Sequence, residues 1–216
     1  MHENVTKAQR EAILTLLQEA MEVLRDNKSL DLNSGMFGIV RDTRRSPANP
    51  GASWSLEVEA LPPAMVRFTT SADPLDYSKD RMKVPVVPTA FEILFTGSLV
   101  DVSRSLLEKR LDLADYWVDR ETGERKDNDI GPLPVPQQRI HGYRYRAKEH
   151  LNTRVPVNVN LDYADPDASD PAGSPKLLHV TIKRAYEILT PEERKQKREE
   201  KEQRTRDLYR NPGVAQ

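Results

Sequence analysis

An α+β fold with a mainly antiparallel β-sheet core is what the 216-residue sequence predicts. Three observations carry that expectation. Several segments alternate apolar and polar residues with the period-two pattern of half-buried strands. Pro-rich connectors separate them, and strands and helices do not alternate in the regular way of a doubly wound fold.

The first element is helical. Thr6 and Gln9 have the spacing of a capping box. Ile13, Leu16, Leu17, Ala20 and Leu24 then recur at helical intervals, with Lys7, Arg10, Glu11, Gln18, Glu22 and Arg25 on the other side. The spacing predicts an amphipathic helix over about 6–27, ended by Asp26-Asn27-Lys28, whose apolar stripe must dock on something. From Met36 the period changes to two. Trp54, Leu56, Val58 and Ala60 alternate with Ser55, Glu57 and Glu59, and Leu61-Pro62-Pro63 leads to a second strand at Val66, Phe68 and Thr70. Phe91, Ile93 and Phe95 predict a third.

A middle helix is expected from Ser103 to Ala114, carrying Leu106, Leu107 and Leu111, with Ser105 and Glu108 offering a cap. Tyr116-Trp117-Val118 reads as a strand entering a turn at Glu121-Thr122-Gly123-Glu124. Val155, Val157, Val159, Leu161 and Tyr163 form the clearest strand of the chain, with Pro156 marking either an edge position or a strand start. Leu177 to Arg184 is rich in residues that favour strands. SPANPGA at 46–52, VPVVP at 84–88, GPLPVP at 131–136 and DPDASDPAGSP at 165–175 are expected to be connectors. With 16 Pro against 9 Gly, those connectors are stiff.

The last segment is a specified helix without a face to bury. Thr190 is a good N-cap, Pro191 suits the first helical position, and Glu193 completes a capping box. No large apolar residue lies between Leu189 and Leu208. Eight basic and six acidic residues fall between Glu192 and Arg210, with helical pairs such as Glu193–Lys197, Glu200–Arg204 and Glu202–Arg206. The sequence therefore divides into an α+β domain over 1–189, with its β-rich core at about 36–189, and a charged helical extension over 190–216.

Composition narrows the function. Lys and Arg number 33 and Asp and Glu 34, a net charge of −1, so binding to nucleic acid or to a membrane surface would need a local patch. The absence of Cys excludes disulfides, thiol catalysis and Cys-ligated zinc. The polar N-terminus carries no signal core, and no apolar run approaches the roughly 20 residues that span a bilayer. A soluble, cytoplasmic protein is expected, without membrane association.

Catalytic signatures are missing: there is no GxGxxG, GxxxxGK[ST], HExxH or GxSxG. His2, His141, His150 and His179 fit no common metal spacing and read as structural or surface residues. Asp162, Asp165, Asp167 and Asp170 cluster after the clearest strand, but without an EF-hand pattern and with two of them in Asp-Pro turns. No metal or cofactor is expected. The most suggestive local patch is RIHGYRYR at 139–146. In a strand, His141, Tyr143 and Tyr145 share one face and Arg144 and Arg146 the other. With Arg139, Lys148 and Arg154, this is the composition of a single-stranded nucleic-acid site, with aromatic rings for bases and cations for phosphates. The bland alternative is a Tyr face on the core and an Arg face in water.

AYEILTPEERKQ resembles the end of the third helix of J-domain co-chaperones. No His here precedes Pro, so the His-Pro-Asp turn on which that family depends is absent and nothing carries over.

The leading expectation is a non-catalytic interaction or assembly subunit, with a protein partner or a second copy of the chain. The last helix would be its docking arm, through Arg194, Arg198, Lys201, Leu208 and Tyr209. Two alternatives stand beside it. One is single-stranded nucleic-acid binding through the 139–146 patch. The other is an enzyme with a dispersed site of residues such as His141, Asp162 and Glu57.

Overall fold

The computed structural model describes residues 2–47, 49–78, 80–119, 122–134, 139–166, 174–186 and 190–210, the last helix by its backbone and part of its side chains. The chain runs β1 (His2–Asn4), α1 (Lys7–Arg25), β2 (Ile39–Ser46), β3 (Asn49–Glu57), β4 (Ala64–Ala72) and β5 (Val86–Val100). After α2 (Arg104–Arg110) come a small hairpin of β6 (Trp117–Val118) and β7 (Arg125–Lys126), then β8 (Asp129–Pro132), β9 (Ile140–Arg146), β10 (Val157–Ala164), β11 (Lys176–Arg184) and α3 (Pro191–Arg210).

The main sheet has the order β2-β3-β4-β5-β11-β10-β9-β8, antiparallel throughout. Two meanders, β2 to β5 and β8 to β11, meet at the β5/β11 pair. β4 begins opposite Phe95, and β1 continues that edge of β5 in parallel at Ser98–Val100. The α+β class and the antiparallel core are thus as the sequence predicts.

Alternation places Phe68, Phe91, Ile93, Val157, Val159, Leu161, Val180 and Ile182 on one face, all buried. α1 lies against that face along β5 and β11, contributing Ile13, Leu14, Leu17, Ala20 and Leu24 to the same cluster. The rings of Phe37, Phe68 and Phe91 close its upper part at centroid separations of 5.2 to 5.9 Å. Both reciprocal bonds of the Thr6/Gln9 capping box form.

The other end of α1 is tied to the sheet. A helix leaves its last four carbonyls unpaired, and burial makes each of them demand a donor. The Glu22 carbonyl accepts from the Asp26 and Lys28 amides, and the Arg25 carbonyl from the Arg154 and Val155 amides at 2.9 and 3.1 Å. The Leu24 and Val23 carbonyls accept from the Arg184 guanidinium at 2.7 and 3.2 Å, and Arg184 also donates to Asn27 Oδ1 at 2.7 Å. A strand-end arginine therefore caps the helix, and Asn27, at φ 61°, supplies the left-handed turn that ends it.

Several expectations shift in detail. The strand predicted over Trp54–Ala60 ends at Glu57, because the Leu61 amide folds back to the Val58 carbonyl. It begins at Asn49, inside a segment expected to be a connector; Asn49 Oδ1 accepts from the Gly51 and Ala72 amides and starts the pairing. β5 likewise begins within VPVVP, with Pro88 tolerated where the register shifts opposite Thr69/Thr70, and β8 takes the start of GPLPVP. The middle helix ends at Arg110 and is capped by Ser103, not Ser105. Pro156 marks the start of β10, which lies inside the sheet. The 165–175 connector falls mostly outside the described residues.

α3 forms with the predicted Thr190/Glu193 capping box, at 2.7 and 3.2 Å. Its described side chains are exposed apart from half-buried Lys197, whose ammonium sits 5.9 Å from the Tyr77 ring centre.

Candidate functional site

The face of the sheet turned away from α1 carries the polar half of the alternation, and cross-strand register sorts it into three rows. The first runs Met65, Leu94, His179, Asp162, Gly142; the second Arg67, Glu92, Thr181, Asn160, Arg144; the third Thr69, Ala90, Lys183, Asn158, Arg146. Apart from Thr181 and Gly142, every one of these side chains is half-buried or exposed.

His179 is the hub of the first two rows. Its Nδ1 lies 2.8 Å from Asp162 Oδ2, and its Nε2 3.0 Å from Glu92 Oε1 and 3.1 Å from Thr181 Oγ1. Arg67 Nη1 reaches the other Glu92 oxygen at 3.3 Å. Burial pushes the imidazole down, but hydrogen bonds and charges from Asp162 and Glu92 outweigh it and hold His179 above its ordinary value. An imidazole donating from both nitrogens is protonated and has no lone pair with which to act as a base. The Thr181 hydroxyl, in a residue 4 % exposed, meets the nitrogen already taken by Glu92. The arrangement has the order of a carboxylate–imidazole–hydroxyl relay; in its protonated form the imidazole bridges β10, β11 and β5 as a cation.

Beside this network lies a hollow of about 250 Å³ lined by Arg144, Asn158, Asn160, Thr181, Lys183, Arg184 and Ala185. Arg144 stacks 4.4 Å above the Trp117 ring centre, and Trp117 is itself held by its Nε1 bond to the Asp127 carbonyl at 2.9 Å. Among the described residues, no carboxylate lines the hollow.

The residues of the 139–146 patch separate as alternation predicts. Arg144 and Arg146 stand on the polar face; His141, Tyr143 and Tyr145 point to the opposite one. Tyr145 is 1 % exposed and donates to Glu108 Oε1 at 2.7 Å; burial and the Glu108 carboxylate raise its pKa. Tyr143 has His141 stacked at 4.9 Å and the Arg104 guanidinium 4.6 Å over its ring. With Tyr163 and Ser103 it also lines a second hollow of about 430 Å³. Lys148 pairs with Asp112 at 2.9 Å. Arg139 and Arg154 are exposed, and their backbones hold Asp165 and the end of α1 respectively.

His141, Asp162 and Glu57 do not converge: His141 Nε2 meets Asp129 at 2.6 Å, Asp162 meets His179, and Glu57 pairs with Arg41. The side chains of Arg194, Arg198, Lys201, Leu208 and Tyr209 lie outside the described residues.

Sequence reasoning missed the His179 bridge, the Arg67–Glu92 pair and the capping role of Arg184. Each sits at an unremarkable strand position, and only register brings them together. Among the described residues, no group of His, Asp or Glu is disposed to hold a metal ion, and no helix is long and apolar enough to cross a membrane. Comparison with protein families, curated proteins and solved structures returns no match.

Proposed function

We propose that the chain works as a non-catalytic interaction or assembly subunit that docks through the edge of its sheet and its last helix. The observation carrying this reading is β2. All eight of its residues are exposed, among the described residues it pairs only with β3, and it stands at the end of the sheet order. An edge strand exposed on both faces presents backbone donors and acceptors that a partner strand can use. Its Arg41, Asp42, Arg44 and Arg45 are the charges that keep such an edge from indiscriminate pairing. α3 adds a second exposed element with a formed cap and no apolar face. His179, committed at both nitrogens, supports a non-catalytic reading; nor does the aromatic half of the 139–146 patch favour base stacking, with Tyr145 buried and Tyr143 already covered.

The test compares the full chain with a version ending before Thr190, by light scattering at tens of micromolar and by cross-linking in native extract. The shortened chain should melt close to the full chain, because the described side chains of α3 are exposed apart from half-buried Lys197 beside Tyr77, but should lose its assembly. A full chain that is strictly monomeric and cross-links to nothing ends the reading.

A further inference from the structure

We propose that the hollow between Arg144 and Lys183 is a binding site for the phosphoryl group of a small phosphorylated ligand. The site is built by register. Asn160 faces Arg144 on one side and Thr181 on the other, and Asn158 faces Arg146 and Lys183. β9 and β11 flank β10, so the two cations rise on either side of a floor of two carboxamides, roughly 10 Å apart across the sheet. A guanidinium offers a planar fork of donors, an ammonium three, and each carboxamide two more. A carboxylate has two oxygens to meet this set; a phosphoryl group has three terminal ones, and its geometry suits a fork on one side and a point charge on the other.

Three further observations support a ligand here. Among the described residues neither Arg144 nor Lys183 has an acidic partner, and Asn160 makes no side-chain hydrogen bond. Asn158 Oδ1 and Arg146 Nη1, from residues paired across the strands, are both buried without a hydrogen-bond partner. Buried polar atoms are rarely left so, and a carboxamide oxygen at the floor accepts from a ligand hydroxyl. Of the described acids in these rows, Asp162 and Glu92 would repel an anion, but they are engaged by His179 and Arg67. A volume of about 250 Å³ is below the range of drug-sized pockets, so the ligand is small.

This site stands independently of the assembly reading, since its occupancy is read at the hollow whatever the oligomeric state. The experiment is an amide-correlation NMR titration of the full chain with inorganic phosphate, glycerol 3-phosphate and acetate at constant ionic strength. Phosphate should produce saturable shifts confined to Arg144, Asn158, Asn160, Thr181, Lys183 and their neighbours. Lys183→Gln and Arg144→Gln should each weaken binding by about tenfold or more, while Arg44→Gln on β2 leaves it unchanged. Tighter binding of the ester than of phosphate identifies a phosphorylated small molecule; equal binding identifies free phosphate. Non-saturating drift, shifts centred on β2, acetate binding as tightly as phosphate, or full affinity in a folded Lys183→Gln would overturn the assignment. Thermal melting of both pocket variants, whose side chains lie outside the core, checks that they remain folded.

Discussion

Replacing Arg184 by Met should loosen the end of α1 from the sheet and destabilise the protein by about 3 kcal/mol, a figure worked mainly from the two buried carbonyls it would leave unpaired. Arg184 is 7 % exposed, and its guanidinium serves the Leu24 and Val23 carbonyls and Asn27 Oδ1. Met fills similar space without a donor. Asn27 is exposed and can turn to water, but the two carbonyls stay in the interior, at about 1–3 kcal/mol each for an unsatisfied group. Loss of a cation at the negative helix end adds about 0.5 kcal/mol. Against this, an apolar side chain recovers about 1–2 kcal/mol by being buried, with no guanidinium to desolvate. The balance falls near 3 kcal/mol. Urea unfolding followed by circular dichroism measures it: the midpoint should drop with the slope unchanged, and hydrogen exchange should quicken in the last turn of α1 first. Arg184→Lys should fall between, because an ammonium lacks the fork that reaches three acceptors. A Met variant within about 0.5 kcal/mol of the parent would refute the capping role.

Two further predictions concern the polar face and the sheet. His179 has a raised folded-state pKa, so its contribution to stability is complete below the unfolded value of about 6.5 and is lost as pH rises through the folded one; denaturation midpoints should fall over that window in the parent and stay flat in His179→Gln. The groups facing it are Asp162 on β10, Glu92 on β5 and Thr181 on its own strand; a parent midpoint that rises with pH there would reverse the sign and refute the bridge. Gly51→Ala should cost about 2 kcal/mol by the overpacking rule, because an added Cβ would press on the Thr70 carbonyl and come within 2.6 Å of Ser71 Cα; a neutral effect in thermal melting would show that β3 and β4 can separate freely there.

How much was legible follows from what each signal is made of. Local signals survived: the Thr6/Gln9 and Thr190/Glu193 caps form as predicted because a capping box involves four consecutive residues and no tertiary partner. Period-two alternation located the core of β3, β4, β5 and β10 and their inward residues; in β11 it fits Val180 and Ile182, but a register shift between Leu177 and His179 buries Leu177 in place of Leu178. Pro and Gly misled at 46–52 and 84–88, where tertiary pairing overrode turn chemistry: Asn49 bridges to Ala72, and Pro88 sits at a register shift. Ser103 displaced Ser105 as the cap because Asp101, at φ 72°, turns the chain early and leaves Ser103 extended. The candidate site was hardly legible at all. His179 and Glu92 are 87 residues apart in sequence, and nothing in either neighbourhood announces the other. Of the residues proposed from RIHGYRYR, Arg144 reaches the hollow, but its companions there, Asn158, Asn160 and Lys183, carried no motif.

The split of that one strand connects the local pattern to the surface. Had RIHGYRYR been a solvated recognition strand, its rings and its cations would act together on one ligand. Alternation within a sheet covered on one side forbids this: His141, Tyr143 and Tyr145 go to the helical side, where rings stabilise by burial, and only Arg144 and Arg146 remain on the open face. What those arginines meet there is decided by the neighbouring strands. Acids are not scarce in a chain with 34 of them against 33 bases, and on this face they are placed selectively. Glu92 is opposite Arg67, and Asp162 is opposite His179. Opposite Arg144 stands Asn160, and opposite Lys183 stands Asn158. A face serving solubility alone gains nothing from carboxamides at those two positions, since carboxylates there would pair the cations and hydrate equally well. Among the described residues carboxamides leave these cations without an acid opposite them, so on the binding reading a chain of net charge −1 would hold a local positive field in one hollow. Neutralising the nearby acids while leaving the nearby bases free is the arrangement expected of a surface that receives an anion.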